Sequence, residues 1–389
     1  MRTNYLYIAN MKTAAGAVAI LMILGCNPEK KSIPQANGNK SSVTSLYYAS
    51  GFSVSYREDN TKLVEVMYPF QGATSGYKYL LVPKGQTVPE QEADVRVISI
   101  PLSSIVCTST THIPLLDYLG ETHKLVGFPS TDYISSEKAR KQIDAGKVLE
   151  LGVDKGLNME RIAMLHPDMV MGYTMNSDYG QFKKIEDLNV PVVLNAEYLE
   201  KHPLGRAEWI KFMALFFNKE NKADSVFRII EEEYHSTKAL ADSVLDKPTV
   251  LSGIVYGDAW FLPGGQNYAA KLLKDAGYQY LWGHDSTNGF LELSFESVYE
   301  KGHNADFWIG VGSFSSLEEI ENADHRYPRF KAFQEKKVYT SNARKGLMGG
   351  SEFLELGYLR PDIILKDLVK IAHPELLKQH KLYFHEQLQ

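Results

Sequence analysis

The chain has 389 residues, which is long enough for two domains with full hydrophobic cores. Its 42 basic and 47 acidic residues give a net charge of −5, which argues against a nucleic-acid-binding protein. Cys26 and Cys107 are the only cysteines, so a four-cysteine zinc site or an iron–sulfur cluster held by this chain alone is excluded.

Residues 1–26 have the pattern of a bacterial lipoprotein signal peptide. Arg2 and Lys12 precede an apolar run from Ala14 to Leu24, which is too short to span a bilayer comfortably. The run ends in Ile-Leu-Gly-Cys, which resembles a lipobox and predicts lipidation of Cys26. The alternative is a plain secretory signal with a chance cysteine. Residues 27–45 are rich in Asn, Gly, Lys and Ser and predict a flexible tether.

Residues 46–103 predict a β-rich extension, because short aromatic and β-branched runs alternate there with Gly, Pro and Asn. We expect its strands to be antiparallel. From residue 104 to residue 220 the pattern changes to strand, turn and helix, which predicts an α/β lobe with a parallel sheet. Cys107 lies in the apolar run SIVCT and is expected to be a buried small hydrophobe.

Ligands of open α/β sheets bind beyond the carboxyl ends of the strands. In the first lobe this rule predicts a binding rim made of Ser109–His112, Phe128–Tyr133, Tyr173–Met175 and Asn195–Tyr198.

Residues 221–246 predict one long helix between two lobes. Apolar residues recur at three- and four-residue spacing, Asn221 suits an N-cap, and Pro248 follows the predicted end. An ordinary surface helix inside one larger α/β domain is the alternative.

Residues 247–389 repeat the strand–helix pattern and predict a second α/β lobe. The segment SFESVYEKGHNADFWIG parallels NMERIAMLHPDMVMG of the first lobe, with a cap, a glutamate, a turn, an aspartate and an apolar strand in the same order. The fold class expected is therefore two Rossmann-like α/β lobes with parallel sheets, joined by one rigid helix. The N-terminal β-rich extension precedes them.

The segments SIVCTSTTHIPLLDYLG, KLVGF and LNMERIAMLHPDMVMG resemble the N-terminal lobe of periplasmic binding proteins for iron chelates and cobalamin. Those proteins form the helical-backbone class that delivers to ABC importers. The resemblance covers about residues 100 to 380 and includes Gly264-Gly265 and the closing run from His373 to Leu376. Pro114, His166 and the β-rich extension depart from the family pattern.

The resemblance implies a lipid-anchored solute-binding protein that lies at the periplasmic or outer face of a bacterial membrane. Its expected partners are a metal chelate or corrinoid, an ABC transporter permease, and the membrane itself through the lipid on Cys26. A ferric siderophore or similar iron complex is the ligand class expected, with cobalamin or haem as alternatives. No resident cofactor and no enzymatic activity are expected.

Ligand-binding candidates are the aromatic, histidine and arginine side chains on the predicted rims of both lobes, namely His112, Tyr133, Tyr173, Tyr256, Trp260, Phe314 and Arg344. Trp260 and Tyr256 suggest a stacking wall, although core packing would also explain them. Arg344 suits a negatively charged chelate, or else is a solvated loop residue. Gly264-Gly265 suits an anion at a helix N-terminus.

Glu160 and Glu296 occupy equivalent positions in the two half-repeats. The resemblance implies that such glutamates, one on each lobe, meet arginines of the permease. Favourable interaction with a helix dipole would also explain a carboxylate in the first turn.

Other classes of function remain as alternatives. A surface lipoprotein enzyme acting on a glycan or polymer would need a carboxylate pair or metal triad, and no GxSxG motif is present. Capture of a bare metal ion would need several converging histidines or carboxylates, and no HExxH-like pair occurs.

Overall fold

The computed structural model describes residues 45–91, 93–153 and 156–389. The predicted signal peptide, the lipidation site Cys26 and almost all of the predicted tether lie outside these residues. Within the described part of the chain, no helix has both the length and the apolar character needed to cross a membrane.

The N-terminal extension forms a four-stranded sheet in the order β1-β2-β3-β4. Its strands are β1 Phe52–Tyr56, β2 Lys62–Val66, β3 Tyr77–Pro83 and β4 Val95–Ile100. The prediction of β structure is confirmed, but a purely antiparallel arrangement is wrong. β4 pairs parallel to β3, because the eleven-residue connection lets the chain return to the same end of the sheet before β4 starts.

The first lobe is built on a five-stranded parallel sheet in the order β11-β10-β5-β6-β7. The strands from residue 105 to residue 194 are β5 Ile105–Cys107, β6 Leu125–Phe128, β7 Leu149–Glu150, β8 Gly152–Val153, β9 Gly156–Leu157, β10 Val170–Gly172 and β11 Val192–Leu194. β8 and β9 form a separate two-stranded antiparallel sheet. The helices are α1 His112–Leu119, α2 Glu137–Asp144, α3 Met159–Leu165 and α4 Gly180–Glu186.

Two consecutive helices connect the lobes, α5 Pro203–Leu215 and α6 Glu220–Asp242. The prediction of one long helix is confirmed by α6. The predicted N-cap at Asn221 is wrong, because the helix already begins at Glu220. Lys219 occupies the N-cap position without a side-chain hydrogen bond, so Asn221 lies inside the first turn and caps nothing. Almost every side chain of α5 is buried, as expected for a helix enclosed on all sides.

The second lobe carries a five-stranded sheet in the order β15-β12-β17-β18-β19, parallel except for its last strand. The strands are β12 Thr249–Ser252, β13 Ile254–Tyr256, β14 Ala259–Pro263, β15 Gln279–Tyr280, β16 Phe290–Leu293, β17 Phe307–Ile309, β18 Val338–Thr340 and β19 Glu386–Gln387. The helices are α7 Tyr268–Asp275, α8 Phe295–Gly302, α9 Leu317–Ala323, α10 Lys331–Gln334, α11 Glu352–Leu356 and α12 Pro361–Ala372. β13, β14 and β16 form a separate antiparallel sheet.

Two buried carboxylates, Glu208 of α5 and Glu200 just before it, hold the start of the described chain. Glu208 accepts hydrogen bonds from the amides of Tyr47, Tyr48 and Ala49 at 2.8–3.1 Å. Glu200 accepts from the amides of Ser50 and Gly51 at 2.8 and 2.7 Å. The five consecutive backbone amides of residues 47–51 are therefore hydrogen-bonded without a partner strand. These bonds hold the segment that precedes β1 against α5 and the residues just before it.

Candidate functional site

The carboxyl ends of the parallel strands in the first lobe lie along one edge, as the sequence predicts. The loops after β5, β6, β10 and β11 begin at Thr108, Pro129, Tyr173 and Asn195. Because parallel strands end on the same side, these loops form one rim. Their backbones are held locally. For example, the Glu150 carboxylate accepts from the amides of Ser130 and Thr131, both at 2.7 Å.

In the second lobe, the loop from Ser341 to Ser351 follows β18 and reaches the first lobe. Its turn is closed by a hydrogen bond from the Gly346 amide to the Gly350 carbonyl at 2.7 Å. A Cβ atom on Gly350 would lie 2.0 Å from the carbonyl oxygen of Tyr133. Only glycine permits the second-lobe backbone to approach the first lobe this closely.

We call the contact between residues 133–136 and residues 346–355 the interlobe seam. Glu355 is buried there and accepts hydrogen bonds from the amides of Ser135 at 2.6 Å and Ser136 at 2.8 Å. The Ser135 hydroxyl donates to the Gly350 carbonyl at 3.1 Å. Burial raises the pKa of Glu355 to about 7, against the opposite effect of the two amide donors.

A cavity of about 550 Å³ lies beside the seam. It is bounded by residues of both lobes, namely Ser130, Thr131, Asp132, Tyr133, Glu150, Gly152 and Val153 of the first lobe and Met348 of the second. Tyr133, Val153 and Met348 are each more than half exposed. Its lining combines the polar side chains of Ser130, Thr131, Asp132 and Glu150 with these exposed side chains, and a concave surface that contacts both lobes is a candidate small-molecule site.

A family model described as periplasmic binding protein matches residues 105–344, which include the rim of the first lobe and the first four residues of the loop after β18. The chain belongs to the periplasmic binding protein family.

Relatives and solved structures agree with this membership. The chain is 26% identical, over 95% of its own length and 95% of the relative's, to an uncharacterized lipoprotein of Methanocaldococcus jannaschii. A possible iron-binding (periplasmic solute-binding) protein of Staphylococcus epidermidis superposes with a TM-score of 0.54 at 17% identity, covering 70% of this chain and 100% of that one. The periplasmic haem-binding protein HutB of Vibrio cholerae superposes with a TM-score of 0.53 at 16% identity, covering 68% and 99%. At these identities the structural likeness shows the two-lobed periplasmic binding protein fold.

Four of the predicted ligand residues lie on or near the rims of this periplasmic binding protein. Tyr133 borders the interlobe cavity, with 59% of its surface exposed. Tyr173 and Phe314 are half-buried in the loops after β10 and β17. Tyr256 ends β13 and is largely exposed, with its ring centroid 6.1 Å from that of Phe261. Contact with a ligand stays a prediction for all four.

His112 is not available to a ligand, which corrects its prediction. It is the first residue of α1 and is completely buried, and neither ring nitrogen has a hydrogen-bond partner among the residues that the structure describes. Burial lowers the pKa of His112 to about 3, so the imidazole is neutral at physiological pH. The apolar residues after it in the sequence draw the start of the helix into the core.

Trp260 also fails as a stacking wall, because its ring is fully buried in the second lobe. The ring packs among Trp308, Tyr327, Phe330 and Phe295 at centroid distances of 5.5–5.8 Å, and its indole nitrogen donates to the Ser252 carbonyl at 3.1 Å. A Cβ atom on the neighbouring Gly264 would lie 2.4 Å from the Thr287 carbonyl oxygen, and one on Gly265 would lie 2.3 Å from that of Asp285, so close backbone packing also explains this pair of glycines.

Arg344 is engaged within its own lobe. Its guanidinium donates to the Glu352 carboxylate at 2.8 Å and lies 4.4 Å from the Tyr383 ring centroid. Half of the side chain is exposed. A ligand carboxylate would therefore have to compete with Glu352 for this arginine. The sequence predicted either a chelate-binding or a solvated arginine and did not include this ion pair.

Glu160 and Glu296 occupy the first turns of α3 and α8, at equivalent places in the two lobes. Both are exposed. Asn158 and Ser294 cap these helices through their side chains. Glu296 also forms an exposed ion pair with Arg326 at 3.3 Å.

Sequence reasoning missed the residues that join the lobes. Arg206 of α5 donates to the carbonyls of Glu200 and Tyr198, and its guanidinium lies 3.8 and 4.2 Å from the ring centroids of Tyr268 and Tyr358 in the second lobe. Glu355 and Met348 were missed as well. Nothing local marks an arginine or a glutamate whose partners are distant in sequence, although the two glycines at 349 and 350 are a signal of close backbone approach.

Metal-binding side chains do not converge on the site. Among the described residues, no group of three or more His, Cys, Asp or Glu side chains is placed to hold a metal ion. Cys107 is free and buried in β5, and burial raises the pKa of its thiol.

Proposed function

We propose that this protein is the lipid-anchored solute-binding component of an ABC importer, and that it captures an iron complex between its two lobes and delivers it to a membrane permease. The observation that carries the proposal is the interlobe cavity, which lies where the carboxyl-end loops of two parallel sheets meet. Membership of the periplasmic binding protein family supplies the class of function.

The nature of the cargo rests on the neighbours. The Staphylococcus epidermidis protein is described as possibly iron-binding, the Vibrio cholerae protein as haem-binding, and Helicobacter pylori CeuE was solved with Ni(II) bound. CeuE superposes with a TM-score of 0.54 at 18% identity, covering 73% of this chain and 88% of that one. A ferric siderophore or similar iron complex is the cargo proposed, and haem or cobalamin in the same role is the alternative.

The proposed segments follow from the sequence and the fold. Residues 1–26 are the lipoprotein signal peptide with Cys26 as its lipidated end, and residues 27–45 are the tether. The β-rich extension (46–103) belongs with the first lobe (104–220), and the linking helix separates it from the second lobe (247–389). The anchor places the protein in the cell envelope, as the lipoprotein name of the Methanocaldococcus jannaschii relative supports.

Small lobe movements are expected on binding. The linking helices are packed on both lobes, and Arg206 and Glu355 contact both sides, so closure by a flexible hinge loop is disfavoured. This arrangement favours a preformed site over one that is assembled by large domain rotation.

Native mass spectrometry of the full-length protein, purified in detergent from its own host, tests the proposal. A bound iron complex, haem or corrinoid, together with loss of uptake of that compound on deletion of the gene, is the expected result. Absence of any such ligand, combined with measurable turnover of a glycan or polymer, would favour the surface-enzyme alternative.

A further inference from the structure

Residues 380–389 form an added edge of the second-lobe sheet, and we call them the C-terminal strap. Their strand β19 pairs antiparallel with β18, and the Leu388 amide donates to the Val338 carbonyl at 2.9 Å. Phe384 and Leu388 of the strap are buried. Because the loop from Ser341 to Ser351 follows β18, the strap lies beside the strand from which this loop leaves the sheet.

A buried carboxylate of α12 anchors the strap. Asp367 has no exposed surface, and it accepts hydrogen bonds from the amides of residues 383–385 at 2.7–3.0 Å. The imidazoles of His380 and His385 lie at hydrogen-bond distance from the same carboxylate, 2.7 and 3.1 Å away. Burial opposes ionisation, but the hydrogen bonds from both histidines and from the backbone outweigh it and lower the pKa of Asp367. The carboxylate is therefore charged at physiological pH, and it holds the strap firmly on α12.

Two consecutive residues of the strap hold both ends of the loop after β18. At the start of the loop, the Phe384 carbonyl accepts a hydrogen bond from the Ala343 amide at 3.2 Å. At its end, the Tyr383 hydroxyl donates to Glu352 Oε1 at 2.5 Å. The other oxygen of Glu352 accepts from Arg344, whose guanidinium also lies over the Tyr383 ring. Tyr383 thus contacts a residue near each end of the loop.

The middle of this loop has little support of its own. Residues 343–345 and 347–349 are exposed. Its turn is closed by local hydrogen bonds, the one from Gly346 to Gly350 described above and one from the Gly349 amide to the Gly346 carbonyl at 2.9 Å. Exposed segments with few buried contacts open at low cost in free energy, so the contacts at the loop ends control how well the loop is ordered.

We infer that Tyr383 is a positioning residue, which holds the loop after β18 so that Met348 borders the interlobe cavity and Gly350 packs against the first lobe. Tyr383 is not one of the described residues that line the cavity, so it acts on a ligand through the loop. A loop that is ordered in advance loses less conformational freedom when a ligand binds, which raises affinity. The effect on affinity rests on the proposed function, whereas the positioning of the loop does not.

Hydrogen–deuterium exchange of the apo protein tests the positioning. Tyr383→Phe removes only the hydroxyl, and it should speed exchange in peptides that cover residues 341–352 by about three- to tenfold. Tyr383→Ala also removes the ring beneath Arg344 and should have a larger effect. Tyr234→Phe is the matched control, because the Tyr234 hydroxyl of α6 also donates to a carboxylate, that of Asp275, at 2.7 Å. It should leave exchange of the loop unchanged.

Ligand titration tests the effect on affinity. The probes are hemin, cyanocobalamin and the ferric complex of desferrioxamine B, which represent the proposed cargo and its alternatives. Tyr383→Phe should weaken binding of the probe that the wild-type protein binds by about three- to tenfold. Tyr234→Phe should lower the melting temperature more, because Tyr234 is buried, and should keep the wild-type affinity. A purely structural role of Tyr383 would instead make affinity follow the melting temperature in both variants.

The results separate this inference from the proposed function. Unchanged loop exchange in both Tyr383 variants would overturn the positioning role. Faster loop exchange with wild-type affinity would overturn the link between the loop and the ligand. If none of the three probes binds and the native spectrum contains no chelate, haem or corrinoid, the proposed function fails, and loop exchange still decides whether Tyr383 positions the loop.

Discussion

Glu355 of the second lobe accepts a hydrogen bond from the backbone amide of Ser136 in the first lobe, with an Oε1–N distance of 2.8 Å. Ser136 is also the N-cap of α2, where its hydroxyl accepts from the amide of Ala139. Glu355 thus reaches across the seam to the N-terminus of a helix, where a negative charge is favoured. The two residues are 219 positions apart in the chain.

The Glu355 contact makes stability depend on pH. Burial, together with the nearby carboxylates of Asp117 and Glu352, raises the pKa of Glu355 from its usual 4.5 to about 7, although the two amide donors lower it. A raised pKa in the folded state means that the stabilising contribution is complete below pH 4.5 and is lost as the pH rises through about 7. Between pH 5 and pH 8, the wild-type protein should therefore lose stability relative to Glu355→Gln, by on the order of 1–3 kcal/mol.

Denaturant unfolding at several pH values measures this difference. Glu318→Gln serves as the control, because Glu318 is an exposed carboxylate in the first turn of α9. The stability difference between wild type and this control should stay constant with pH. If the Glu355→Gln difference is equally flat, Glu355 does not titrate in this range.

Trp260→Ala should destabilise the protein severely. The ring is fully buried and contacts four other aromatic rings, so its removal leaves a large cavity, and a loss of about 3–5 kcal/mol is expected. Tyr256→Ala on the same hairpin is the matched control, because Tyr256 is largely exposed, and its effect should stay within about 0.5 kcal/mol. Thermal unfolding of the apo protein compares the two, and equal melting temperatures would restore Trp260 as a ligand-facing residue.

Glu208→Ala should release the start of the described chain from α5. Glu208 is buried, holds the amides of residues 47–49, and pairs with the buried Lys211 at 2.9 Å. Its removal leaves the buried Lys211 with the more distant and partly exposed carboxylate of Asp224, at 3.6 Å, and we expect a cost of about 3 kcal/mol. Limited proteolysis should then cleave near residues 45–51.

The double variant Glu208→Met, Lys211→Met tests the physical cause. It removes both charges, and so it should be less destabilised than Glu208→Ala. Asp187→Ala, which breaks the exposed pair with Lys183, provides a surface control with an expected cost below about 1 kcal/mol. A double variant that is less stable than Glu208→Ala would show that Lys211 stabilises the protein even without Glu208, so that its unpaired charge is not the cause of the loss.

Reversal of Glu160 and Glu296 to lysine should spare ligand binding in solution and impair uptake by the intact importer. Two exposed carboxylates, one on each lobe, would orient the protein on a permease and steer its approach. The ion pair of Glu296 with Arg326 is exposed and contributes little to folding stability.

The matched control changes the same number of charges elsewhere, with lysine in place of the exposed Glu232 and Glu318. Uptake of the identified ligand into cells that carry each double variant is the measurement. Normal uptake with the Glu160 and Glu296 reversals would leave both residues as simple first-turn carboxylates.

Cys26→Ser should prevent lipidation and release the protein from the membrane fraction. The lipobox-like run ending at Cys26 is the basis for this prediction. Metabolic labelling with a fatty acid, followed by cell fractionation, measures it, and Cys107→Ser is the control because Cys107 is buried in β5. Unchanged labelling of the Cys26 variant would contradict the lipoprotein assignment.

Local signals in the sequence were sufficient for much of the fold. The caps Asn158 and Ser294 stand at the starts of the two parallel segments, where the sequence predicts them, since capping acts within one helical turn. The order of strands and helices in both lobes, and hence the rims, follows from hydrophobic periodicity. The family resemblance depended on the same short segments and is confirmed over residues 105–344.

Contacts between residues that are distant in the sequence decided which of the predicted site residues are buried and how several elements pack. Trp260 and His112 have the residue types of a binding rim, but burial depends on which other elements cover them, and no local pattern records that. The parallel pairing of β4 and the enclosure of α5 have the same origin. The sequence by itself determined two α/β lobes, their linking helix and a lipoprotein-like N-terminus. Only the tertiary structure decided that Tyr133 and Met348 meet at one cavity and that Glu355 closes the seam beside it, because packing joins positions more than 200 residues apart.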